Sequence, residues 1–156
     1  MSDFTVAYRA NAAFTITLAS LADAAARQST EITNSNNDLD ALIQGFIKTA
    51  AAGVDTAGGA VEVYAFASID DGTTRDDGAG ASDAAITVAN ARLLCVIKAN
   101  VNATTFYVPV TSVAGAFGGV LPERWGIIVK NESGAALDAT GGSHAINYQG
   151  IYAQGS

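Results

Sequence analysis

Apolar and polar residues alternate at period two in short runs along most of this chain, and turn formers separate the runs. That periodicity predicts β-strands rather than helices. Phe4, Val6 and Tyr8 fall on one face of residues 4–8. In residues 14–18, Phe14, Ile16 and Leu18 point one way and Thr15 and Thr17 the other, as a half-buried strand requires. Residues 61–68 place Val61, Val63, Ala65 and Ala67 on one face and Tyr64 and Phe66 on the other, which predicts a strand buried on both sides. Further strands are expected over 84–88, 104–110, 123–130 and 145–152. Pro109 confines the third-last of these runs to an edge or exit position. Residues 92–99 form a continuous apolar run suited to a central strand.

The remaining segments are connections or ambiguous. Ser20 with Asp23 at the third position predicts a short capped helix over 20–26, too short to stand without tertiary support. Residues 27–33 are polar and predict a mostly exposed strand, and 34–38 a loop of Asn and Asp. In 39–48, Leu39, Leu42, Ile43 and Phe46 have helical spacing, while Gly45 and the Ile43/Ile47 pair fit a strand, so periodicity leaves it open. Small residues make 50–59 a connection, and 69–83 is a long acidic, glycine-rich excursion. Eight or nine strands with no long helix predict one all-β domain over 1–156. The expected architecture is an antiparallel β-sandwich, jelly-roll-like, with at most one short helix and with residues 1–13 as an extended N-terminal arm.

Composition narrows the function classes. Of the 156 residues only 15% are charged, against roughly 25% in ordinary domains. So few charges imply that partners cover part of the surface. The net charge is −7, and the eight basic residues are scattered, which argues against nucleic-acid binding and against a membrane surface. The sequence lacks a signal-peptide pattern and any long apolar run, so synthesis in a cytoplasm is expected. The single cysteine, Cys95, lies in an apolar run and is expected to act as a small hydrophobe.

Candidate chemistry is sparse. His144 is the one histidine and follows Ser143, but adjacent residues on an extended chain face opposite ways and share no proton. It is expected in a flexible loop. One histidine and one cysteine leave no nitrogen and sulfur set for a transition metal. Asp70, Asp71, Asp76, Asp77 and Asp83 supply hard oxygen ligands and form the candidate calcium loop, although their spacing departs from the twelve-residue calcium motif. A solvated loop, with Arg75 partly neutralising it, is the favoured reading. Glu31, Glu62, Glu123 and Glu132 lie on separate elements and identify no acid pair. The residues therefore predict a non-enzymatic protein without cofactors. Aromatics on nearly every strand leave a sugar-stacking face open as a second use.

Ile16-Thr-Leu-Ala-Ser-Leu-Ala-Asp23 with Ala26-Arg-Gln-Ser29 resembles the start of small virion structural proteins of tailed bacteriophages. So do residues 117–131, from Phe-Gly-Gly-Val-Leu-Pro-Glu-Arg-Trp to Lys-Asn, and the ending Gly150-Ile-Tyr152. The similarity spans roughly residues 14 to 153. Glu123 stands where the family often carries a basic residue. The resemblance favours a strand over 39–48 and implies a virion component with a jelly-roll-like sandwich. It carries no functional residues over. The expected role is a capsid decoration protein on the outer face of the head. Its expected partners are the major capsid protein, other virion proteins and further copies of itself, with neither nucleic acid nor membrane. The N-terminal segment would contact a neighbour by strand addition through Phe4, Tyr8 and Arg9. A neck, tail or fibre position, and a carbohydrate-binding module for host glycans, are the alternatives.

Overall fold

A computed structural model describes residues 3–155. Two antiparallel sheets pack face to face, so the chain is an all-β sandwich with jelly-roll-like crossing of the chain between layers. Sheet 1 runs β1 (Phe4–Tyr8), β11 (Ala145–Gly155), β5 (Asp40–Lys48) and β9 (Thr105–Ser112), with β2 (Ala12–Ala13) also on β11. Sheet 2 runs β7 (Ala84–Ile86), β3 (Ala26–Gln28), β10 (Arg124–Glu132), β6 (Ala60–Ser68) and β8 (Arg92–Ile97), with β4 (Ile32–Thr33) also on β10. The steps β5 to β6, β8 to β9, β9 to β10 and β10 to β11 each change sheet.

The period-two pattern explains the core. Ile43 and Ile47 of β5 and Val108 of β9 meet Val61, Val63 and Ala65 of β6 and Ile127 and Val129 of β10, all essentially inaccessible to solvent. Each of the valine and isoleucine side chains contributes roughly 1.5–3 kcal/mol by leaving water. At one end Trp125 sits edge-on to Phe14 and Tyr148, with ring centroids 5.6 and 5.4 Å away. The segment 39–48, open on periodicity, is strand β5, with a bulge against β9 between Ile43 and Gly45.

Four expectations are corrected. Residues 14–18 bury Phe14 and Leu18 as the alternation requires, yet join neither ladder as a strand. Phe14 donates its amide to Ile146 of sheet 1 while Thr15 accepts from Thr30 beside sheet 2, so the segment spans the mouth of the sandwich. Residues 20–25 form turns, not a helix, before β3 begins at Ala26, with Ser20 and Ala24 in the left-handed region at φ 57° and 59°. Asp23 accepts from the distant Gly134 amide, so tertiary bonds displaced the local cap. The 27–33 segment divides into β3 and β4 and is not mostly exposed, because Gln28 and Ser29 are wholly buried. Residues 92–97 form an edge strand, β8, with Leu93 and Val96 about half exposed, not a central one.

The burial of Gln28 follows from the acidic excursion, which folds back over the outer face of sheet 2. Phe66, Ile128 and Ala26 form a second small core there, on the opposite side of β6 and β10 from the main one. Gly126 leaves the room: a Cβ at that position would stand 2.5 Å from the Phe66 ring. Gly78, at φ 104°, carries the loop across the same ring in a conformation that side-chain-bearing residues rarely adopt.

Candidate functional site

Register creates an unusual feature at one end of sheet 1. β11 pairs with β5 only from Ala145 to Ile151, and with β1 from Ile151 to Gly155. Residues 152–155 and β1 therefore extend past β5 as a two-stranded ribbon. On one face of it stand Phe4, Val6 and Tyr8, exposed by 75%, 67% and 58%. Arg9 donates its amide to the Gly150 carbonyl. By the alternation of an antiparallel ladder, the amides and carbonyls of Phe4, Val6 and Tyr8 then face away from β11. Among the described residues no strand pairs with that outer edge. An apolar edge without Pro or Lys is a template for another chain.

The expected contact residues divide. Phe4 and Tyr8 are brought together on the ribbon face, joined by Val6. Arg9 turns to the other face and roots the ribbon: its Nε lies 2.8 Å from Asp38 Oδ1 and its guanidinium 3.8 Å above the Tyr152 ring. Residues 4–8 of the expected N-terminal arm are thus a paired strand.

The five aspartates of the acidic loop are spread along it as internal ties. Asp70 accepts the Ser68 hydroxyl at 2.6 Å and the Thr74 amide at 2.8 Å, which hold its carboxyl down at about 2. Asp71 is bonded to Arg124, and Asp76 accepts the Ala67 amide. Asp77 accepts the amides of Ala89, Asn90 and Ala91 through one oxygen. Burial alone would raise Asp77, but these amides outweigh it and lower its carboxyl. Asp83 binds Arg27 and the Thr17 hydroxyl and is likewise lowered against its own burial. Among the described residues no three His, Cys, Asp or Glu side chains converge as a metal site. The sequence missed two further anchors. Glu31, almost fully buried, takes Arg75 Nε at 2.7 Å and an Arg124 nitrogen at 3.3 Å. Gln28 accepts the Ala79 amide and donates to Gly80 and Ser82 carbonyls at 2.8 and 2.7 Å. Neither residue is marked by any local motif, because their partners lie 44 to 93 positions away.

His144 is a cross-brace rather than a loose loop residue. Its Nδ1 accepts the Lys48 amide at 3.3 Å and its Nε2 stands 2.9 Å from the Asp138 carbonyl, which assigns the proton to Nε2. Asp138 is held well below the usual carboxylate range by the Thr140 amide, Ser143 and Lys48. Ser143 thus serves Asp138, and no nucleophile-and-base pair forms there. Cys95 is half-buried, and that burial pushes its thiol up, away from a reactive thiolate. A cleft of about 520 Å³ opens beside the acidic loop, between Ile69, Phe117 and Val120. The arginines on its wall are already engaged, Arg75 with Glu31 and Arg92 with Asp76 at 3.8 Å. Among the described residues no helix is long and apolar enough to cross a membrane. Set against known proteins, the chain matches no family model and no curated sequence.

Proposed function

We propose that this chain is a non-enzymatic structural protein of a bacteriophage particle, a capsid decoration protein that adheres to the head through its projecting ribbon. The observation that carries the reading is the free apolar edge of β1, with Phe4, Val6 and Tyr8 bare beside outward-facing amides. Such an edge gains main-chain hydrogen bonds and apolar burial together when a neighbouring strand adds to it. The low charge of the chain, 15% of residues, fits a surface that neighbours cover. The phage assignment itself rests on the resemblance of residues 14–153 to small virion proteins.

The test is the position and copy number of the chain in purified particles, by quantitative mass spectrometry and a particle map. Hundreds of copies on the head lattice, each with β1 against a neighbouring chain, are expected. A few copies at one vertex, or none on the head, would overturn decoration. The paired substitution Phe4→Asp with Val6→Asp is expected to abolish attachment while leaving thermal unfolding almost unchanged.

A further inference from the structure

The body of sheet 1 carries a groove on the same outer face as the ribbon's apolar residues, with a different chemistry. Register sets Gln44 opposite Asn147, Leu42 opposite Gln149 and Phe46 opposite Tyr107. Residues paired across a ladder project to the same side, so these side chains share one face. With Asn11 they line a groove of about 550 Å³, within the size range of small-molecule sites, roughly 300–1,000 Å³. Tyr107 is 74% exposed on its wall.

Two properties of the wall select a ligand. The first is an absence of charge: none of the 8 Lys and Arg or 15 Asp and Glu residues lines the groove. An ordinary solvated sheet face mixes both signs of charge. The second is a concentration of carboxamides. Asn11, Gln44 and Asn147 form no side-chain hydrogen bond among the described residues, and Gln149 uses only its amino group, on the Arg9 carbonyl at 2.9 Å. Each carboxamide offers two donors and an acceptor in one plane.

We infer that this groove binds a neutral oligosaccharide. Vicinal hydroxyls both donate and accept, matching carboxamides as no purely apolar or purely anionic ligand does. The C–H face of a pyranose fits against the exposed Tyr107 ring and the half-buried Phe46 ring beside it. Phosphates and acidic sugars find no cation on the wall, and a net charge of −7 repels them.

The test titrates the full chain with maltoheptaose, cellohexaose and chitohexaose by calorimetry and saturation-transfer NMR, with a heparin oligosaccharide as the charged control. Binding of at least one neutral oligosaccharide is expected, with heparin silent. Tyr107→Ala and Asn147→Ala should each weaken it by about tenfold, the scale of one lost contact. Both side chains lie on the surface, and unchanged thermal unfolding confirms that the variants fold. Val6→Asp, on the ribbon, should leave sugar binding intact, so this inference and the decoration role fail separately. No binding across the three neutral probes, equal binding of heparin, or affinity indifferent to Tyr107→Ala and Asn147→Ala would overturn it.

Discussion

The outer face of sheet 2 around Phe66 and Ile128 lies beneath residues 69–83, whereas the outer face of sheet 1 lies open. Under the loop, Phe66 and Ile128 are 0% exposed; on the open side, Phe4 and Tyr107 are 75% and 74% exposed. Both faces carry large apolar or aromatic side chains at period two. The covered face holds its lid with charge and hydrogen bonds: Glu31 between Arg75 and Arg124, Asp83 on Arg27, Gln28 on three loop groups. The open groove on sheet 1 has no charged side chain at all. The chain supplies its own cover where burial stabilises the fold. Where it supplies none, the aromatic and apolar side chains stay exposed.

The sharpest way to break this comparison is to empty the covered side. Phe66→Ala should cost about 3–5 kcal/mol, a large-to-small change in a site closed on all sides. Thermal unfolding should fall by on the order of 10 °C. A small shift would mean that the loop collapses onto the gap or was never packed. Next in size, Gln28→Ala strips the Ala79 amide and the Gly80 and Ser82 carbonyls of their buried partner, a loss of about 1–3 kcal/mol. Amide exchange should quicken over residues 79–83 and stay unchanged in β1.

Acid should separate the two faces without mutation. Asp70 has its carboxyl lowered from 3.8 to about 2 in the fold, so its contribution is full above about 3.8 and is lost as the pH falls through about 2. Asp77 and Asp83 are lowered in the same direction. NMR spectra recorded down that range should show the loop amides shifting first, ahead of those of β11 and β5. Simultaneous loss of both sheets would show that the lid is not a separable unit. The smallest effect on stability belongs to the open side. Phe4→Ser with Val6→Ser should change unfolding by no more than about 0.5 kcal/mol per site. The proposed decoration role nevertheless expects retention on phage heads in a sedimentation assay to be lost.

Much of the fold was legible because alternation is local. Residues 61–68 announce a strand buried on both sides, 123–130 announce a strand, and Pro109 announces the edge position of β9. The misread segments are those whose backbone partners lie far off in sequence. Residues 14–18 alternate like a strand but tie one sheet to the other. Ser20 and Asp23 resemble a helix cap until Gly134 takes the carboxylate. The apolar run of β8 reads as central, although among the described residues no strand pairs with its outer edge. At the candidate site, the 4, 6, 8 alternation pointed to the ribbon. Its projection past β5 was hidden, because register is a property of pairs of strands.

The sequence by itself determined that this chain makes strands, which side chains share a strand face, and how little charge it has to spread over its surface. Those follow from period two and from composition. Tertiary structure alone decided which segment covers Phe66, and that Tyr107, also an aromatic on the second face of a strand, stays on the surface. The reason is physical: exposure depends on whether a distant segment returns to cover the face. That return depends on contacts such as Gln28 with residues 79–82 and Glu31 with Arg75, which no local pattern encodes.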